Sequence, residues 1–135
     1  MKQHYPTSLF RPTRTHRDIE HQLQVACVNW FNLQYPMLRG CLIAVPNGGR
    51  RDPVTGARLK AEGATAGVAD LILFHRGKDS GALLIEMKTP TGRQSPEQKR
   101  WQLKIQSQGY KYVVCRSLEE FMRVVTSYIR ESVIK

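Results

Sequence analysis

The sequence has few cysteines. Cys27, Cys41 and Cys115 are the only three in 135 residues, and no two are spaced as CxxC. An odd number lying in apolar segments argues against a disulfide framework or a thiolate zinc site. They read as reduced core thiols of a cytosolic protein. Long apolar runs are also missing. Nothing approaches 18 consecutive apolar residues, so no membrane span is expected. The N-terminus is basic but lacks an apolar h-region, so no secretory signal is expected either. Acidic residues are scarce, 11 Asp and Glu against 21 Lys and Arg, for a formal charge of +10. That surplus favours a polyanionic partner, nucleic acid first and an anionic membrane surface second. Repeats, low complexity and internal linkers are absent. With 41% hydrophobic residues the chain can bury a core, and its length fits one domain over 15–135 behind a basic arm, 1–14. The arm holds Lys2, Arg11, Arg14 and two prolines with no acidic residue. It is a tail, a strand touching DNA phosphates, or a segment packing on a second subunit.

The chain is organised around Gly67 to Lys88. Two apolar runs, Val68 to Phe74 and Ala82 to Lys88, flank a polar turn rich in Gly, Asp and Ser. This pattern predicts a β-hairpin. Antiparallel pairing centred near Lys78 sets Asp70 opposite Glu86. Side chains alternate along a strand, so Glu86 and Lys88 share a face and Met87 takes the other. Two carboxylates and an ammonium in one patch are costly to bury unless paired or bound to a metal. A hard divalent cation such as Mg²⁺ relieves the repulsion between the carboxylates. A neighbouring lysine can orient or help deprotonate a water and offset charge developing on a phosphate. The competing reading is a surface ion pair, Glu86 with Lys88, at the end of an ordinary hairpin.

The rest of the chain supplies the frame. Thr15 fits an N-cap, with Asp18 in the first turn, for a helix running to Gln34 and stopped by Tyr35-Pro36. Ile19, Leu23, Ala26 and Trp30 form its expected buried stripe, and Trp30 and Phe31 are core rather than base-stacking groups. Glu20 sits on the flank of that stripe, in line with Cys27 and Phe31. It is either a solvated flank residue or a third carboxylate aimed at the hairpin. Cys41 to Val45 is a short strand, broken by Pro46-Asn47-Gly48-Gly49 and followed by Arg50, Arg51, Arg58 and Lys60. The glycines admit a close backbone approach and the arginines suit phosphate, although a plain turn explains the run equally. A short helix falls within Asp52 to Glu62. Ser95-Pro96-Glu97-Gln98 is a capping box, which by itself accounts for Gln98. Trp101, Leu103 and Ile105 supply that helix's apolar surface, Lys99 faces out, and Gly109 ends it. Tyr110 to Cys115 is a strand. Ser117 to Glu120 is a second capping box, opening a helix with Phe121, Met122, Val125, Tyr128 and Ile129 on one face. His75, near the hairpin turn, is structural or exposed. The order α-β-β-β-α-β-α predicts an α/β domain with a four-stranded mixed sheet flanked by helices. The Glu86 and Tyr110 strands should run parallel across a right-handed crossover.

Glu20 on a first helix, Pro46-Asn47-Gly48-Gly49, Gly67-Val68-Ala69-Asp70, Glu86-Met87-Lys88, and Ser95-Pro96-Glu97-Gln98 with Trp101 stand in one order. In that order they resemble the VRR-NUC family, the virus-type replication-repair branch of the PD-(D/E)xK nucleases, over roughly Thr15 to Val125. Thr91-Gly92-Arg93 and the arm are less diagnostic. The resemblance implies a restriction-endonuclease-like core and a structure-directed DNA endonuclease dependent on Mg²⁺ or Mn²⁺. It implies that Asp70 and Glu86 ligate the ion with the Met87 backbone carbonyl, and that Lys88 positions the attacking water. Glu20 completes the acidic cluster, directly or through water, and Gln98 holds the site or the scissile phosphate. Asn47, Arg50, Arg51, Arg58, Lys60, Arg93 and Lys99 become the candidate DNA contacts. Small stand-alone members, often from phages, are similar to four-way junction resolvases. That implies a homodimer cutting branched DNA in the cytoplasm of a bacterial or phage-infected cell, with the arm or the C-terminal helix as dimer surface. Flap cleavage, sequence-reading cleavage and an inactive nucleic-acid-binding module are the alternatives.

Overall fold

Thr15 starts the first helix, α1 (His16–Gln34), by a reciprocal cap. Its hydroxyl accepts from the Asp18 N–H at 3.2 Å, and Asp18 accepts in return from the Thr15 N–H and hydroxyl. The computed structural model describes residues 15–46 and 53–133. The arm and Asn47, Arg50 and Arg51 lie outside the described residues. After α1, Pro36 diverts the chain into one 3₁₀ turn, Pro36–Leu38. Then follow β1 (Leu42–Ala44), α2 (Pro53–Ala61), β2 (Leu71–Leu73), β3 (Leu83–Met87), α3 (Pro96–Ser107), β4 (Lys111–Cys115) and α4 (Leu118–Val133).

The four strands form one sheet in the order β1-β2-β3-β4. The first two pairings are antiparallel and β3 with β4 is parallel, as the crossover through α3 requires. The hairpin register is the expected one. Leu71 pairs with Ile85, so the next position outward sets Asp70 against Glu86. The strand itself is shorter than its apolar run: Val68 to Asp70 precede the ladder rather than belonging to it.

Strand β3 is buried along its whole length, because helices cover both faces of the sheet. Leu83, Ile85 and Met87 pack with Cys27 and Phe31 of α1 and with Phe121 and Val125 of α4. On the other face Leu84 packs with Ala69, Ala82 and Tyr112, against Trp101 and Ile105 of α3. Glu86 falls on this second face by alternation. Cys27 and Cys115 are buried in the first cluster, and burial pushes both thiols up to about 12, so they stay protonated. Trp30 stacks edge-on to Tyr35 and Phe121, in the core as expected.

Three local expectations need correction. The buried line of α1 is Cys27 and Phe31, whereas Ile19 is 38% exposed. Leu23 and Trp30 of the expected stripe do pack on the core, but the two fully buried positions lie on the neighbouring line. The inward line is therefore the one that carries Glu20. Leu103 is 69% exposed, because only Trp101 and Ile105 of α3 face the sheet. At α4, Ser117 Oγ accepts from the Glu120 N–H at 3.1 Å, but the Glu120 carboxylate reaches the Arg116 N–H at 2.9 Å, one residue before the expected cap. The apolar face of α4 is also spent inside the chain. Tyr128 is buried, its hydroxyl donates to the His75 carbonyl at 2.6 Å, and Ile129 packs on the core. His75 is half-buried with its ring edge-on to Tyr128. Among the described residues, no helix is long and apolar enough to cross a membrane.

Candidate active site

The end of the sheet where β2 begins and β3 finishes opens into a cavity of about 580 Å³. Asp70, Met87 and Gln98 line it from the hairpin and α3, and Glu20 lines it from α1. The shift of the buried line of α1 onto Cys27 and Phe31 is what turns Glu20 toward this space. Val45 and Pro46, leaving β1, form its far wall.

Each hairpin carboxylate has one oxygen secured by the protein. Asp70 Oδ2 accepts the Met87 backbone N–H at 2.7 Å. Glu86 is completely buried, and its Oε1 accepts from the Tyr112 hydroxyl at 2.5 Å and the Gln94 amide at 3.0 Å. Glu86 Oε2 is buried with no hydrogen-bond partner among the described residues. Lys88 Nζ stands 3.9 Å from it, beyond hydrogen-bond range, and the lysine is itself only 9% exposed. A fully buried carboxylate is not the surface ion pair that the sequence left open. Burial pushes the Asp70 carboxyl above the usual carboxylate range. Neighbouring Glu20 and Glu86 push the same way, while the Met87 N–H and Lys88 oppose it.

These features fit a divalent cation. A buried carboxylate oxygen without a donor is costly unless something positive meets it. Counted formally, the carboxylates of Glu20, Asp70 and Glu86 outnumber the Lys88 ammonium and the Arg17 guanidinium, so the neighbourhood keeps an excess of negative charge. Among the described residues no three His, Cys, Asp or Glu side chains group closely enough to form a complete metal site. Mg²⁺ and Mn²⁺ do not require one. Such ions are commonly held by one or two carboxylates, with water and substrate phosphate filling the remaining positions. Asp70 and Glu86 would be those carboxylates, with the Met87 carbonyl and Glu20 available beside them.

Lys88 is fixed by the turn that follows it. Its N–H donates to the Cys115 carbonyl at 3.0 Å. The Arg116 guanidinium donates to the Thr89 and Gly92 carbonyls at 2.8 and 2.6 Å. His16 Nδ1 and Thr89 Oγ1 lie 2.7 Å apart, tying the start of α1 to the same turn. Gln98 completes its capping box, its Oε1 accepting the Ser95 N–H at 2.8 Å, and still lines the cavity. The structural and the site reading of Gln98 are therefore compatible.

Of the candidate DNA contacts, Arg58 and Lys60 form the basic last turn of α2, and Arg93 and Lys99 are exposed. Sequence reasoning passed over Tyr112, Gln94, Arg116, His16, Arg17 and His21. Arg17 and His21 line the cavity beside Glu20, one helical turn apart, and the three-residue spacing of Arg17 from Glu20 is a usable signal. Tyr112 and Gln94 gave none, because a tyrosine in an apolar strand reads as core and a glutamine in a loop reads as solvated.

A family model for the VRR-NUC domain matches residues 18–119. The chain is also similar to a VRR_NUC domain protein of solved structure. The two are 25% identical and superpose with a TM-score of 0.74, over 84% of this chain and 89% of the other. No curated protein matches the chain.

Proposed function

The chain belongs to the VRR-NUC family of nucleases and has its restriction-endonuclease-like α/β fold, and on that basis we propose that it is an endonuclease that hydrolyses phosphodiester bonds in branched DNA, four-way junctions first, using Mg²⁺ or Mn²⁺. One observation carries the reading. The completely buried Glu86 presents an unpartnered carboxylate oxygen 3.9 Å from the Lys88 ammonium, and its neighbours Asp70 and Met87 line the cavity of about 580 Å³.

Asp70 and Glu86 hold the ion, with the Met87 carbonyl and with Glu20 directly or through water. When bound, the ion supplies positive charge to the scissile phosphate and acidifies the attacking water. The Lys88 ammonium orients that water and offsets charge as the phosphorane forms. Its near-complete burial strengthens both effects, since little solvent screens it. Gln98 holds the scissile phosphate from the first turn of α3, and the positive end of that helix favours an anion there. Arg50, Arg51, Arg58, Lys60, Arg93, Lys99 and Asn47 contact the flanking backbone.

Two outcomes check this reading. Cleavage should stop in EDTA and return with added Mg²⁺ or Mn²⁺, and full activity in metal-free buffer would end it. Binding to a catalytically silent duplex or junction should weaken steeply with salt. Each neutralised phosphate contributes about 0.9 to the log–log slope, so six contacts give roughly −5. A slope near zero would remove DNA as the partner.

We further propose a two-fold homodimer. One chain presents one acidic cluster, and one cluster cuts one strand, so resolving a junction takes two clusters in fixed relation. Light scattering at micromolar concentration, beside a cleavage panel of duplex, flap and four-way DNA, is the test. A monomer that nicks one strand and prefers flaps would move the enzyme to flap processing. A chain that binds DNA without cutting any member of the panel would be an inactive binding module.

A further inference from the structure

Tyr112 and Gln94 both spend their hydrogen bonds on the same atom, Glu86 Oε1. Gln94 has a second bond, its amide donating to Gln102 Oε1 at 2.8 Å, which anchors it to α3. Tyr112 is fixed just as firmly. Its ring is buried, packed edge-on to Trp101, and its hydroxyl is held protonated by burial and by the carboxylate it faces. Two neutral donors from two different elements thus converge on one oxygen of a fully buried carboxylate, and the other oxygen is left with none. Packing alone does not require this. A buried carboxylate kept for stability would have both oxygens satisfied, since each unmet one is costly.

We infer that Tyr112 and Gln94 are positioning residues that make Glu86 a one-oxygen metal ligand, binding through Oε2 only. Glu86 then cannot swing to grip an ion with both oxygens, because Oε1 would have to give up two donors at once. Asp70 repeats the arrangement, with Oδ2 committed to the Met87 N–H. A site built from single-oxygen carboxylates suits a small octahedral ion and handicaps Ca²⁺, which readily takes both oxygens of a carboxylate. The inference rests on the metal-dependent reading above, and concerns which chemistry of ion the site accepts.

The test is calorimetric titration of the DNA-free protein with Mn²⁺ and, separately, with Ca²⁺. The proteins compared are wild type, Tyr112→Phe, Gln94→Ala and Glu86→Gln, with melting temperature recorded for each. Outer residues that orient metal ligands typically set affinity by about 10- to 100-fold. Tyr112→Phe and Gln94→Ala are expected to weaken Mn²⁺ binding about tenfold or more while Ca²⁺ binding falls much less, so the ratio of the two constants shifts. Phenylalanine keeps the ring packing, and Gln94 stands in a partly exposed loop, so at least one variant retains the fold. Mn²⁺ affinity unchanged in both variants would overturn the inference. So would an equal loss for both ions together with a lowered melting temperature, which is general loosening. A wild type that binds Mn²⁺ no better than Glu86→Gln would remove the metal-dependent reading itself, a result distinguishable from the other two.

Discussion

Replacing Lys88 by methionine is expected to lower the cleavage rate about 100- to 1,000-fold while DNA affinity stays within about twofold. The magnitude is that of removing one preorganised donor from a water-excluded site. The asymmetry follows from numbers of charges. The chain carries 21 Lys and Arg, and a phosphate-driven interface averages over many of them, so one ammonium contributes little to binding. The transition state has no such reserve. Lys88 is the ammonium 3.9 Å from Glu86 Oε2, held there by the turn that Arg116 and Thr89 secure. Methionine preserves the buried stem, so no large cavity opens. Single-turnover rates and junction affinity in Ca²⁺ separate the two quantities. A variant cleaving at near-wild-type rate would strip Lys88 of its role. A tenfold loss of affinity would instead make it a binding residue.

The Glu20 carboxylate gives a second, smaller contrast. Glu20→Gln should reduce activity and leave folding intact, and should raise the Mg²⁺ concentration needed for half-maximal rate. A residue merely solvated on the helix surface would change neither. Its place on the cavity wall, and the push it gives to the Asp70 carboxyl, argue for the first outcome.

The hairpin was legible in the sequence because its signals are local. Two apolar runs and a Gly-rich turn fix the register, and the register fixes Asp70 against Glu86. The caps at Thr15 and Ser95 were legible for the same reason, as was the parallel β3–β4 pair. What was not legible depends on packing between distant elements. Of the expected α1 stripe Leu23 and Trp30 pack on the core but Ile19 is exposed, since sequence periodicity gives a face but not which of its turns meet the core. Leu103 was misplaced for that reason too. Tyr112 lies 26 residues from Glu86, and its bond forms only once α3 has carried the chain across to β4. Arg116 likewise closes the turn after Lys88 from the neighbouring strand, at the same end of the parallel pair. Such contacts leave no spacing to read, although they decide how firmly the acidic cluster is held.

Gly67→Ala is expected to be among the most damaging single substitutions, although it adds one methyl group. Gly67 has φ of +81°, and a Cβ there would stand 2.4 Å from the Glu97 carbonyl oxygen and 2.8 Å from the Gln98 nitrogen. Those are backbone atoms in the first turn of α3, so no side chain can swing aside. The left-handed backbone alone costs alanine about 1–2 kcal/mol. Forcing α3 away from the loop before Asp70 adds about 1–3 kcal/mol, the range for overpacking. Against a total stability of about 5–15 kcal/mol, that sum is a large fraction. Gly63→Ala is the control, because Gly63 has φ of +105° with nothing within 4 Å of an added Cβ. It carries the backbone penalty without the collision. Denaturant melts of the two variants should therefore differ by about 1–3 kcal/mol. The Gly67 variant should also lose cleavage beyond its loss of stability, because the same displacement moves Gln98 relative to Asp70 across the cavity. Equal stability losses in the two variants would mean that the small-residue loop does not seat against α3. The contact that brings the first turn of α3 to the acidic cluster would then have to be sought elsewhere.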